Sequence, residues 1–294
     1  MSIAPLFAAM LPLLLQVGPN PTAGELPQSD DLLNRPAPQQ AGDEDVGAGP
    51  ANPWLEKCLD LLDEDASRAH TMAQLRRNAT TGADRIVANH CLGLSATDLG
   101  RWDDARTAFL AARDEIPGDD LRARARFGTM AGNAALAAGD PAAALPILQT
   151  AQTDAREGGA GTLEAIAATD MARALVAAGS PESALTPLET ATRLRPEEAE
   201  GWLLKATLLR RLDRLAQAQE AIERAVALAP QDVAIGLEAG IVAVLSGRED
   251  AARDSWQSVI ALEPDSAAAR TAREYLSQIT PPDTATQTGE GDPS

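Results

Sequence analysis

The chain has 294 residues, 45% of them hydrophobic, enough for one or two domains with a sizeable core. Only 3% are aromatic, while alanine and leucine dominate, which argues against a β-sandwich or barrel and for closely packed helices. A formal charge of −18 at pH 7 disfavours nucleic acid and anionic membrane surfaces as partners.

The N terminus opens with an uncharged apolar run, Ile3–Val17. It is shorter than the roughly 20 residues of a spanning helix and matches the apolar core of a signal peptide. Residues 1–23 are therefore expected to be a signal peptide or other N-terminal hydrophobic segment, and the protein periplasmic or secreted. No base precedes the run and Pro12 interrupts it, so a cytoplasmic protein, or one tethered to the membrane by an uncleaved N terminus, stays open. Only two of the 25 bases are lysine, Lys57 and Lys205, a composition that suggests a bacterial source. Residues 24–52 are rich in Pro, Gly, Gln and acids without helical periodicity, and read as a disordered linker. Residues 281–294 have the same character.

Within 53–85, Trp54–Leu62 and Ser67–Asn78 form two helical stretches outside the period described next, an N-terminal cap or a degenerate further unit. Pro196, Pro230 and Pro264 recur every 34 residues, and Leu194, Leu228 and Leu262 and then Ala184, Ala218 and Ala252 keep the same step. A period of 34 is the length of one helix–turn–helix unit. Trp202, Ala206, Leu209, Ala218, Ile222, Ala225 and Pro230 occupy successive places of one unit, 199–232. Unit 233–266 supplies Gly240, Ala252, Trp256 and Pro264, and unit 165–198 supplies Ala172, Leu175, Ala184, Leu188, Ala191 and Pro196. Upstream, 86–119 has Leu92-Gly93, Ala105, Phe109, Ala112 and Pro117. Unit 125–158 has Gly132, Ala144, Leu148 and Ala151, but Arg156 where the proline would fall.

On these residues the segment 86–266 resembles the tetratricopeptide repeat family. The resemblance implies an all-α fold, a right-handed α-solenoid of five repeats with a concave face formed by the first helices. It also implies a protein or peptide partner in that groove. Physically, small residues at Gly93, Gly132, Ala172, Ala206 and Gly240 let paired helices approach closely, and large ones such as Phe109, Ile222 and Trp256 fill the space towards the next unit. Turns are expected at Gly100, Gly139, Gly179 and Gly247, with Asp213 in the glycine place of the fourth unit. Extra residues near Asp120–Arg124 and Gly158–Gly161 are expected to lengthen two junctions. One unit cannot bury its apolar face alone, so residues 267–280, amphipathic and directly after Pro264, read as a C-terminal capping helix.

Cys58 and Cys91 are the only cysteines, so in an exported chain their pairing is the one intramolecular disulfide possible; in a cytoplasmic chain they would be two buried thiols. A zinc site with His70 and His90 is disfavoured, because Cys91 and His90 are helix neighbours pointing about 100° apart. No metal or cofactor is expected. Asn78-Ala79-Thr80 fits a glycosylation sequon but reads better as a helix-end turn.

First-helix positions expected to face the groove include His90, Leu94, Arg126, Asn133, Arg173, Thr207, Arg210, Ile241 and Val244. Arg126, Asn133, Arg173, Thr207 and Arg210 are the candidate partner-binding set; the competing reading has the arginines pairing locally with acids. Asn133 and Arg173 fall where some family members hold a peptide backbone or terminal carboxylate. The lysines and asparagines of the carboxylate-clamp members are absent, so that specificity does not carry over. No HExxH, GxSxG or P-loop motif occurs. The function expected is a non-catalytic interaction scaffold, in the bacterial envelope. The alternatives are an accessory subunit or membrane-tethered structural protein of an envelope assembly or secretion complex, and last a hydrolase using His90 or clustered acids.

Overall fold

The computed structural model describes residues 52–279; the apolar run and nearly all of the acidic linker lie outside them, as does the tail 281–294. These residues form an all-α solenoid with helices α1 (Pro53–Glu64), α2 (Ala66–Ala79), α3 (Ala83–Asp98), α4 (Trp102–Glu115), α5 (Leu121–Ala137), α6 (Pro141–Glu157), α7 (Gly161–Ala177), α8 (Leu185–Leu194), α9 (Ala199–Arg211), α10 (Leu215–Leu228), α11 (Val233–Leu245), α12 (Glu249–Leu262) and α13 (Ala267–Gln278). A single 3-10 turn, Glu182–Ala184, leads into α8. No described helix is long and apolar enough to cross a membrane.

Short polar side chains start many of these helices. Asn52 accepts from the N–H groups of Trp54 and Leu55, and Asp65 both ends α1 and caps α2 through the Arg68 N–H at 3.0 Å. Asp120, Asp140, Asp232 and Ser266 do the same for α5, α6, α11 and α13. Within each of the five pairs from α3 to α12 one turn recurs. Gly100, Gly139, Gly179, Asp213 and Gly247 all hold φ between 58° and 76°. The residue after each donates back five places along the chain, Arg101 to Ala96 and Arg214 to Leu209 at 2.8 Å. Asp213 is the lone described non-glycine residue with positive φ.

One feature departs from the sequence expectation. The extra residues around Asp120–Arg124 extend a helix rather than a junction, because Asp120 caps and α5 begins at Leu121; α5, α6 and α7 each run 17 residues, against 13 for α9 and α11. Without a proline near Arg156, α6 continues to Glu157 and closes through Gly159, φ 64°, with the same back-bond from Ala160 to Ala155. The large residues fill the space towards the next element, Phe109 with Phe127 and Ala131, Ile222 with Ile235 and Val242, and Trp256 with Tyr275, and they also pack inside their own unit. A Cβ built on Gly93 meets Phe109, one on Gly132 meets Leu148, and one on Gly240 meets Trp256.

The core between the paired helices is mostly alanine, with Ala105, Ala144, Ala184, Ala218 and Ala252 fully buried. Along the stack each helix packs against its chain neighbour. First helices also touch one another (α1 with α3, α5 with α7, α9 with α11, α11 with α13), whereas second helices make no comparable contact among themselves. The side built from first helices is therefore the tighter, inner one. Cys58 of α1 and Cys91 of α3 are joined as a disulfide, their Cα atoms 6.2 Å apart, in a pocket with Ala73, Leu92 and Ala108.

Candidate binding groove

The inner face is built by α3, α5, α7, α9 and α11, and each of the five candidate residues sits on one of them. Arg126 lies in the second turn of α5, half-buried, with its guanidinium carbon 5.0 Å from the centre of the Phe127 ring. Burial lowers its pKa, and Asp120 works against that shift. Phe127 also takes the His90 ring edge-on at 5.1 Å. Burial first, and the Arg126 charge second, push His90 down to about 4, so it is neutral at pH 7.

Asn133, two turns further along α5, faces Asp170 of α7. Asp170 on α7 is 2% exposed, and burial raises its pKa, while the Arg173 charge, the Asn133 amide and the Arg173 hydrogen bond hold it towards the ionised form. Arg173 donates from Nη1 to Asp170 at 2.7 Å and from Nη2 to Glu200 at the start of α9. Two units meet again at Arg210 of α9, which grips Glu238 of α11 with one edge of its guanidinium, Nε to Oε1 at 2.6 Å and Nη2 to Oε2 at 3.2 Å. Thr207 is buried and donates its hydroxyl to the Leu203 carbonyl at 3.0 Å.

The structure thus brings Asn133 and Arg173 together around Asp170, and places Arg210 in a separate pair with Glu238. Arg173 and Arg210 pair with acids, as one of the two sequence readings had it. Instead of being solvated, they are buried and span successive units, with Arg210 and Glu238 side chains only 7% and 8% exposed. Sequence reasoning missed Asp170, Glu200 and Glu238. The signal was present: Arg173 precedes Glu200 by 27 residues and Arg210 precedes Glu238 by 28, separations that place each acid on the next first helix.

With these charges satisfied internally, what the first helices leave half-open is largely apolar. Leu136, Val176 and Val244 hold the repeat place that Arg210 occupies in the fourth unit, and all three are half-buried, as is Leu94. Ile241, also expected on this face, is fully buried.

Neither histidine is arranged as a base beside an available nucleophile. His70, buried with Gln74 at 3.0 Å and Ser95 at 3.4 Å, faces a serine that is fully buried and donates to the Leu92 carbonyl. Among the described residues no group of three His, Cys, Asp or Glu is placed to hold a metal ion.

The family model for the tetratricopeptide repeat matches residues 169–233, from within α7 to the start of α11. Among solved structures, the chain is similar to pilF of Pseudomonas aeruginosa at 16% identity, over 76% of this chain and 96% of that one, with a TM-score of 0.59. It is similar also to MamA of Desulfovibrio magneticus RS-1, residues 41 to the end, at 17% identity over 63% and 98%, with a TM-score of 0.53. At these identities the likeness is one of fold. No curated protein matches the chain.

Proposed function

We propose that this chain of tetratricopeptide repeats is a non-catalytic scaffold that holds an apolar or amphipathic segment of another protein against its first helices. The observation that carries the reading is the internal pairing of two of the groove's arginines. Arg173 is shared by Asp170 and Glu200, and Arg210 is closed on Glu238, so neither guanidinium is left to clamp a carboxylate. The half-buried surface beside them, Leu94, Leu136, Val176 and Val244, suits aliphatic or aromatic anchors, with backbone and small polar contacts supplied between them. A partner recognised this way is selected by shape and apolar spacing rather than by charge.

The proposal places the scaffold in a bacterial envelope, exported by its N-terminal segment. What supports export is the apolar run Ile3–Val17 together with the buried Cys58–Cys91 disulfide, a bond that persists in oxidising compartments. An accessory role in an envelope assembly or secretion complex is compatible with the same groove.

Selection of peptides from a random display library on the full chain tests the reading. Enriched peptides should share apolar anchors, and their binding should fall at least about tenfold in Leu136→Glu with Val176→Glu, an isosteric-scale charge insertion into a desolvated contact. Enrichment of acidic peptides indifferent to those substitutions would place the binding surface elsewhere.

A further inference from the structure

The two ends of the described solenoid are finished differently. At the C-terminal end, α13 lies over the last unit, burying Ala269 and Ala272 completely and setting Tyr275 against Trp256 at 5.2 Å between ring centres. At the other end, no described helix covers the outer side of α1 and α2. An open cleft of about 750 Å³ runs between those helices, lined by Lys57, Leu61 and Glu64 of α1 and by Arg68, Met72 and Leu75 of α2. Leu75 is 67% exposed, the most exposed large apolar side chain among the described residues. An isolated end face of a repeat array with apolar content calls for a cover.

The charges on the rim say what fits. Lys57, Leu61 and Glu64 follow one another at steps of four and three residues, so they share a stripe along α1, cation at one end and anion at the other. When two such helices run antiparallel about a two-fold axis beside Leu61, each Lys57 comes opposite the Glu64 of the other copy. The face is complementary to itself in sign while remaining apolar at its centre, the requirement of an isologous contact.

We infer that the α1–α2 face is a homodimer interface, in which two copies pack antiparallel, bury Leu61, Met72 and Leu75, and pair Lys57 with the second copy's Glu64. The inference is independent of the groove function: the interface lies on the end of the stack, away from α5, α7 and α9. Its consequence for the scaffold is bivalency, since a dimer carries two grooves and gains avidity for a partner that repeats.

Sedimentation equilibrium on the full chain, with its disulfide intact, tests this. The wild type should sediment at twice the chain mass. Leu75→Glu and, separately, Lys57→Glu should weaken dimerisation by about tenfold or more with unchanged helicity, because each puts an unpaired or like charge into the contact. Lys57→Glu combined with Glu64→Lys should restore it; two turns apart on one helix, these residues do not pair within a copy, so recovery reports the contact between copies. A monomeric wild type, a dimer indifferent to both single substitutions, or a double swap that stays weak would each overturn the inference.

Discussion

Gly93 lies directly beneath Phe109: a Cβ at Gly93 would stand 2.2 Å from Phe109 Cε1 and 2.6 Å from Cζ. The relationship repeats at Gly240, where Trp256 Nε1 would be 2.1 Å away, and at Gly132 under Leu148. In the third and fourth units, alanine takes the glycine place and a branched aliphatic, Leu188 or Ile222, takes the large one. The two ring residues thus each sit over a glycine, where the missing Cβ leaves room for the ring.

Gly93→Ala and Gly240→Ala should therefore destabilise the protein by about 1–3 kcal/mol through overpacking against rigid rings, although alanine is the better helix former by about 1 kcal/mol. Gly93→Ala with Phe109→Leu, which copies the Ala–Leu pairing of the third unit, should recover a large part of the loss. Urea midpoints at constant slope check this; additive losses in the double variant would deny the coupling.

The Cys58–Cys91 bond closes a loop with a sequence separation of 33. Replacing both with alanine should lower stability by about 3–4 kcal/mol in the chain-entropy account. The loss should appear first as release of α1, whose attachment to α3 the bond carries, so hydrogen exchange should rise in Pro53–Glu64 before it rises in α5 or α7. Uniform acceleration along the chain would contradict that order.

Arg210 and Glu238 are both almost fully buried, and neither has water to turn to when the other is removed. Arg210→Ala should cost about 3–5 kcal/mol, while Arg210→Met with Glu238→Leu should restore most of it, since a well-packed apolar pair replaces a desolvated ionic one. Arg173→Met should be costly as well, leaving Asp170 and Glu200 without their shared cation, and Asp170→Asn should cost less because Glu200 still holds Arg173. Thermal melts of the four variants order these effects.

His90 has its folded pKa pushed down to about 4, below the ordinary 6.5. A depressed base binds its proton in the unfolded chain first, so the stability it supports is complete above pH 6.5 and falls as the pH drops towards 4, by at most about 3 kcal/mol. His70 shifts in the same direction, while Asp170, raised by burial, acts oppositely and softens the fall. His90→Phe should flatten the pH dependence of the urea midpoint between pH 7 and 4.5; an unchanged slope would show that His90 titrates normally.

Much of the fold was legible because its punctuation is local. A proline two residues past a helix end and a glycine at positive φ each act through their own backbone, so Pro230 and Gly247 announce turns without knowledge of any neighbour. The cysteine pairing was legible by scarcity, and the structure joins the same two residues. The extra residues near Asp120–Arg124 lengthen α5 instead of the junction expected, because Asp120 is an N-cap and the helix starts at Leu121. The site was legible only as a set of positions. That Asn133 and Arg173 would converge on Asp170, and that Arg210 would be consumed by Glu238, depends on how one unit stacks on the next, a relation that appears only after packing fixes the register.

The central claim, that the first helices grip another protein's segment, is tested most directly by amide hydrogen exchange of the full chain with and without a selected apolar peptide. Added protection should fall on Leu121–Ala137, Gly161–Ala177 and Ala199–Arg211, leaving the second helices unchanged. Protection confined to Pro141–Glu157, Leu185–Leu194 and Leu215–Leu228 would contradict it.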